Sequence, residues 1–420
     1  MFELPKFDFF EYLKEYWDFF SIAFRYTWWF LIFVFIGIIY YIWLINKRAQ
    51  YAGAINHIFL AVTVPEDNEK NPKYMEQVFT GLHAIKSGPT FVDKWFKGKT
   101  QDMFSFELVS IGGSIRFLIR TPEYFRDFVE ANIYAQYPEA EIMKVDDYAQ
   151  FIPKEYPDDK YDVFGAEFTL AKPDPYPIKT YKYFTDDIEK EFMDPLSNLL
   201  EVMSTMSLDE QMWVQLILEP VGDSWKKGGE KIVDKLISKK KNVKTPILIR
   251  GLHTAVGVIE PAGTESSKDK KDDMINEMQY LTPGQKEVVE AIEANVSKIG
   301  FKVKMRVMYV AKKEVFTSKR GVNPLFGAFK AFGAQNLNNM VPSKKYWTLR
   351  PYFAKQRVPR LQRNIVRRYK NRDAGGANPF IFNVEELATV YHFPYISVKA
   401  PSLIRSEARK GMPPTDLPIK

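Results

Sequence analysis

The chain has 420 residues, a net charge of +7, no cysteine and four histidines. Its 46% hydrophobic and 26% charged content is globular and excludes wholesale disorder, and its length predicts two soluble domains plus extras. Without cysteine there is no disulfide framework, thiol nucleophile or zinc ribbon, and His57, His83, His253 and His392 stand too far apart for metal-ligand spacing.

Residues 1–25 carry Phe9, Phe10, Leu13, Trp17, Phe20 and Phe24 at helical spacing, an aromatic face suited to a membrane interface. From Trp28 to Ile45 there are 18 residues without a charge, about 27 Å of helix, and a transmembrane helix is predicted over 26–46. Trp28, Trp29, Tyr40, Tyr41 and Trp43 lie towards its ends, as interfacial aromatics do. Asn46, Lys47 and Arg48 follow where a cleavable signal would have small residues, and the two cations predict a cytoplasmic C-terminal side.

Residues 51–148 read as a ferredoxin-like α+β domain. Ile58, Leu60, Val62 and Val64 alternate on a strand, and Tyr74, Val78, Leu82 and Ile85 form a helical stripe. Two strands flank Gly112-Gly113, a hairpin signal. A helix starting at Pro122, with Phe125, Phe128, Val129 and Tyr134 as its apolar side, and the strand AEIMKV complete the order β-α-β-β-α-β.

Residues 160–335 read as a second α+β domain of related order, which suggests a duplication. FGAEFTLA is a strand, PLSNLLEVM a helix, and MWVQLILEPV a strand buried on both faces. Ile232, Val233, Leu236 and Ile237 mark a helix, and Thr282-Pro283-Gly284-Gln285 opens another with a capping box. In the strand FKVKMRVMYV, alternation predicts Phe301, Val303, Met305 and Val307 inside and Lys302, Lys304 and Arg306 outside. The Lys239–Lys241 run and a mobile loop at 262–273 fall between these elements.

Residues 336–420 read as a basic segment and a C-terminal docking tail. No acidic residue occurs between Glu314 and Asp373, a stretch with 14 positive charges; the rest of the chain has 45 Lys+Arg against 52 Asp+Glu, or −7. Eleven of these cations form a candidate polyanion site: Lys344, Lys345, Arg350, Lys355, Arg357, Arg360, Arg363, Arg367, Arg368, Lys370 and Arg372. Tyr346, Trp347, Tyr352, Phe353 and Tyr369 are interleaved with them, the combination that lets bases stack while phosphates pair.

Catalytic signatures are missing. Gly98-Lys99-Thr100 ends like a phosphate loop, but Asp93 stands where its first glycine is required. Gly112-Gly113 lacks the third glycine and helix of a dinucleotide site, and neither G-x-S-x-G nor H-E-x-x-H occurs. Glu385-Glu386 reads as a helix start and His392 as a packing histidine. No catalytic residue, cofactor or metal is expected.

The segments PKYMEQVFTGLHAI, FELVSIGGSIRFLIRTPEYFRDFVEANIYAQYPEAEI, DPLSNLLEVMSTMSLDEQMWVQLILEPVG, IGFKVKMRVMYVA, NVEELATVYHFP and VKAPSLIRSEARKGMPPTDLP resemble the membrane-proximal N-terminal region of conjugative, type IV secretion-like DNA-transfer ATPases of bacteria. The resemblance covers most of residues 50–420. In that family a motor domain with a phosphate loop follows; here the sequence stops at Lys420. The resemblance therefore implies a non-enzymatic, single-pass scaffold in the inner membrane, with its soluble part cytoplasmic and docking a separately encoded motor ATPase. Further expected partners are membrane lipid, a second copy of the chain and DNA. The alternative is a membrane-tethered nucleic-acid binder using residues 344–372.

Overall fold

The computed structural model describes residues 9–184, 192–238, 281–349 and 353–396. The lysine run at 239–241, the loop expected at 262–273, Arg350, Tyr352 and the tail from residue 397 lie outside the described residues. In chain order the elements are α1 (Phe9–Ala54), β1 (His57–Thr63), α2 (Pro72–Leu82), α3 (Phe91–Trp95), β2 (Phe104–Ile111), β3 (Ser114–Pro122), α4 (Arg126–Gln136) and β4 (Glu141–Val145). Then come β5 (Tyr161–Leu170), α5 (Ser197–Ser204), β6 (Glu210–Pro220), α6 (Ser224–Ser238), α7 (Pro283–Val296), β7 (Gly300–Lys312), α8 (Ser318–Lys330), β8 (Met340–Pro342), α9 (Ala354–Asn371), β9 (Phe380–Asn383) and α10 (Val384–Val390).

The chain divides into two compact units. One comprises Met1–Asn56 with Ser87–Gln101, the other His57–Lys86 with Asp102–Lys420. The first is built on α1, 46 residues long. Among the described residues, its Phe24–Ala54 stretch is long and apolar enough to cross a membrane. The aromatic segment expected to lie apart from the span is, from Phe9 onward, continuous with it in this one helix.

The second unit is organised by a nine-stranded sheet in the order β4-β1-β3-β2-β6-β7-β5-β8, with β9 also paired to β7. Every pairing is antiparallel. The order is palindromic. Reading inward from one edge gives the fourth, first, third and second strands of the first half, β4-β1-β3-β2, and reading inward from the other gives the same sequence in the second half, β8-β5-β7-β6. The halves join where β2 and β6 pair, from Phe104 opposite Leu218 to Ile111 opposite Gln211. α6, α7 and the residues between them are an insertion between β6 and β7, at the position the tight β2–β3 turn holds in the first half. That turn pairs Ile111 with Ser114 across Gly112 and Gly113, whose φ values of 60° and 83° match the left-handed pair a two-residue hairpin requires.

One sheet face carries the main core. Leu60 and Val62 of β1, Met75, Val78 and Phe79 of α2, Phe106 of β2 and Phe301 of β7 all lie in it. The stripe on α2 is Met75, Val78, Phe79 and Leu82; Tyr74, expected inside, is 41% exposed, one position off the buried line. Similarly, α4 begins at Arg126 after a short turn and buries Val129 and Ile133, leaving Tyr134 exposed. The capping box at Thr282 is formed, with Gln285 accepting from the Thr282 N–H at 3.1 Å. α6 and α7 bury Val233, Ile237, Val289 and Ile292 in a satellite cluster.

The opposite sheet face is also covered. Val163, Trp213, Met308 and Val310 pack there with Tyr148, Ile152, Val366 and Tyr369, so α9 is the lid on this face. This overturns the outward placement of two β7 cations. Lys304 and Arg306 are 2% and 0% exposed, because α9 and the loop after it close over them; Lys302 is the cation that stays half-exposed.

Candidate polyanion interface

α9 is amphipathic in the strict sense that its two faces have different partners. Gln362, Ile365, Val366 and Tyr369 are buried. Gln362 Nε2 donates to Asp162 Oδ1 at 2.6 Å and to the Val163 carbonyl at 2.9 Å. Ile365 comes so close to Gly165 that a Cβ there would sit 2.8 Å from its Cδ1, which is why β5 carries glycine at that point. Tyr369 packs on Trp213 with ring centroids 5.3 Å apart. The outward face presents Arg357, Arg360, Arg363 and Arg367, all exposed. At i, i+3 and i+4 spacing they form one stripe, about 15 Å long.

Beside the C-terminal end of the stripe is a cavity of about 530 Å³ lined by Lys154, Glu155, Arg363, Arg367, Lys370 and Asn371 among others. Lys370 Nζ donates to the Ile152 carbonyl at 2.5 Å. Burial, and then the neighbouring Lys154, hold its amine below the ordinary lysine range. Glu155 reaches Arg363 at 3.4 Å and is itself 83% exposed, a weak pair that solvent and salt screen. The cleft therefore gathers four cations around one exposed carboxylate, an arrangement that favours an incoming anion.

Ten of the eleven predicted cations are described and separate into three groups. Lys344, Lys345, Lys355, Arg357, Arg360, Arg363 and Arg367 are exposed. Arg368 and Lys370 are half-buried, and Arg368 lies over the Tyr346 ring at 5.2 Å. Arg372 is 4% exposed and does not belong to the surface; Arg350 lies outside the described residues. The aromatic half of the expectation is corrected too. Tyr369 is fully buried, Tyr346 is covered by Arg368 and approached by Lys345, and Trp347 packs on Phe326. Of the described aromatics in the block, Phe353 is the one strongly exposed, at 77%.

Beneath α9 runs a buried polar network that sequence reading missed. Arg372 Nε and Nη2 donate to the two carboxylate oxygens of Glu107, each at 3.0 Å, and Nη1 and Nη2 reach Asp147 at 2.5 and 2.9 Å. Glu107 also accepts from Ser105, Tyr148 and Gln215 at 2.6, 2.7 and 3.0 Å. Gln215 in turn accepts from Arg306 at 3.3 Å, and Arg306 pairs with Glu167 at 3.1 Å. Lys304 meets the other Glu167 oxygen at 2.9 Å. Burial alone would raise the Glu107 carboxyl; Arg372 and the donors around it override this and hold it below its usual value. The one early signal was the K-x-K-x-R alternation in β7, which a two-sided core turns inward.

The segment NVEELATVYHFP, which the sequence places within the C-terminal region 336–420, is an ordered part of the fold. Asn383 caps α10, with Glu386 closing the capping box, and residues 384–390 are all buried. β9 extends the sheet on β7, and Tyr391 and Phe393 lie in the main core, so NVEELATVYHFP is structural interior. His392 is satisfied: its ring nitrogens lie 2.8 Å from the Ala388 carbonyl and 3.0 Å from Asp194. Among the described residues no group of three or more His, Cys, Asp or Glu is disposed to hold a metal.

Together these features define a mixed α+β protein with one long apolar N-terminal helix and a cationic helix fixed on the back of its sheet. The chain belongs to the DUF8128 family, a domain of unknown function, whose model matches residues 56–405. No curated protein matches it.

Proposed function

We propose that this chain is a single-pass membrane scaffold of a conjugation or type IV secretion-like transfer apparatus, organising a separately encoded ATPase, with its soluble part in the cytoplasm. The two palindromic halves are read as ferredoxin-like repeats fused through β2 and β6. The reading assigns the chain no catalysis of its own. The observation that carries it is the Arg357–Arg367 stripe on a helix whose opposite face is locked to the sheet by Ile365, Val366 and Tyr369. A cationic surface that costs little to order before binding suits the organisation of a polyanion or an acidic protein face.

The alternative, direct nucleic-acid binding, draws on the same stripe. The burial of Tyr369 and the covering of Tyr346 favour phosphate contact over base stacking, and so a duplex over a single strand. The test uses the full chain in phosphatidylcholine nanodiscs. On the scaffold reading it retains the ATPase encoded beside it while duplex DNA binds weakly at about 150 mM salt. Tight duplex binding without ATPase retention moves the assignment to the alternative. Release of the chain from membranes by carbonate removes the anchor from both.

A further inference from the structure

Between α2 and β2 the chain leaves the sheet for 15 residues, Ser87 through Gln101, and these belong to the compact unit built on α1. The excursion is closed at its base, where the Ser87 N–H donates to Gln101 Oε1 at 3.0 Å. It is ordered at its tip. Thr90 caps α3 by accepting from the Asp93 N–H at 3.2 Å, Asp93 pairs with Lys97 at 2.9 Å, and the Lys99 N–H donates to the Asp93 carbonyl at 2.9 Å. The GKT tripeptide that ends like a phosphate loop is thus the return strand of a small folded lobe.

Two contacts fix this lobe along α1. Tyr40 Oη donates to the Trp95 carbonyl at 2.8 Å. Gly98 lies so close to the helix that a Cβ on it would be 2.8 Å from Lys47 C and Arg48 N, and its φ of +69° is one that glycine adopts without strain. Tyr40, Leu44, Lys47 and Arg48 follow one another at i, i+4, i+7 and i+8 and so share one helix face. On that face Leu44 is buried while its neighbours Trp43 and Ile45 are exposed. Seven residues separate Tyr40 from Lys47, about 10 Å of helix. The lobe therefore runs from the level of Lys47 and Arg48, where the apolar run has ended, to the level of Tyr40 inside it.

Its exposed large apolar side chains gather at the Trp95 end, where Lys94 is the one exposed cation and lies over the Trp95 ring at 5.7 Å. Phe91, Val92 and Phe96 are 71%, 53% and 56% exposed, next to the Trp95 contact. Lys97 and Lys99 flank Gly98, at the level of Lys47 and Arg48. An apolar tip held at Tyr40 and a cationic base held at Lys47 and Arg48, positions about 10 Å apart along α1, match the acyl boundary and the headgroup layer. We propose that residues 87–101 are a monotopic wedge that inserts Phe91, Val92 and Phe96 into the same bilayer leaflet that α1 crosses at Tyr40, with Lys97 and Lys99 among the headgroups. The proposal rests on the reading of α1 as a membrane span. The occupant is the bilayer because Tyr40 of the apolar run is itself the anchoring partner.

The native chain has no cysteine, so single-cysteine variants of the full chain report one site each. Phe91→Cys and Phe96→Cys are labelled with an environment-sensitive fluorophore, with Ile36→Cys as the mid-span control and Leu208→Cys as the water control. The labelled chains are placed in phosphatidylcholine vesicles brominated either near the glycerol end or near the acyl midpoint. The wedge predicts that labels at 91 and 96 lose most of their emission to the shallow quencher and less to the deep one, while Ile36 shows the reverse order. Unquenched labels at 91 and 96 with a quenched Ile36 overturn the wedge and leave the span intact. Blue-shifted but unquenched labels at 91 and 96 assign the face to a protein partner, which also overturns it. An unquenched Ile36 removes both the span and the wedge.

Discussion

Arg372, at the C-cap of α9, places its guanidinium on both carboxylate oxygens of Glu107 in β2, each at 3.0 Å and across 265 positions of sequence. The arginine adopts φ 49°, a left-handed conformation that a side chain this large rarely takes and that helix ends usually give to glycine. The ion pair therefore holds a strained backbone in place, and with it the end of the helix that carries the cationic stripe.

Arg372→Gly separates the two effects. Relief of the left-handed strain would stabilise by roughly 1 kcal/mol, whereas leaving Glu107 buried without its partner costs about 3–5 kcal/mol. The expected outcome is a net loss, read as a clear drop in the midpoint of denaturant unfolding of the full chain in detergent. Arg372→Gly with Glu107→Gln recovers part of that loss. A variant with Arg372→Gly alone that is as stable as the native chain would show the pair to be inert.

Gly376→Ala tests the other end of the network. Gly376 has φ +112°, and a Cβ there would stand 2.2 Å from Glu167 Oε2. Alanine has to force Glu167 away from Lys304 and Arg306, or shift the loop that closes over them. A destabilisation of about 2–4 kcal/mol is expected, from backbone strain and a weakened buried pair together. Gly284→Ala, on the helix start where a Cβ meets nothing within 4 Å, is the matched control and should be close to neutral.

What the sequence made legible was local. The apolar run of α1, the Gly112-Gly113 hairpin, the capping box at Thr282, the helix start at Glu385-Glu386 and the alternation of β1 each depend on residues a few positions apart. The misplacements of Lys304, Arg306 and Arg372 share a different cause. A strand with alternating cations reads as half-exposed unless something distant covers its second face, and here the cover is α9, some 50–70 residues later. Arg372 sat inside a basic run and looked like its neighbours, because nothing near it in sequence announces Glu107. NVEELATVYHFP looked like a tail for the same reason: its partner strand β7 lies about 80 residues upstream. The palindromic strand order is the most distant relationship and left no residue-level repeat to read.

Glu386 gives a pH prediction. It is fully buried, and burial pushes its carboxyl up to about 8 despite N–H donors from Asn383 and Ile178 at 3.0 and 2.9 Å. The folded state holds this proton more tightly than the unfolded chain does. Its contribution is complete below the unfolded value near 4.5 and is lost as pH rises through about 8. The melting temperature of the native chain should therefore contain a component that falls between about pH 5 and about pH 8, and Glu386→Gln should lack that component. Identical pH profiles for the two chains would refute the assignment.

The last prediction concerns the stripe on α9. Replacing Arg357, Arg360, Arg363 and Arg367 by Glu changes the local charge by −8, and all four side chains are exposed. The fold should survive with a stability change of less than about 1 kcal/mol, because among the described residues Arg363–Glu155 is the one ion pair the set contributes and it is solvent-screened. Binding of any polyanion should weaken steeply. Each arginine that meets a phosphate releases about one counterion, so the logarithmic salt slope for duplex DNA should fall by about 4 as well as the affinity itself. Replacing Lys344 and Lys345 instead, which lie off the helix in the turn after β8, should lower the slope by no more than about 2. Arg368 and Arg372 are kept native in both sets, since changing them would disturb Glu167 and Glu107 and confuse lost binding with lost structure. Titrating the full chain against a labelled duplex over a range of salt gives both slopes. If the fourfold variant keeps the native slope, the stripe is not the polyanion interface, whatever its affinity.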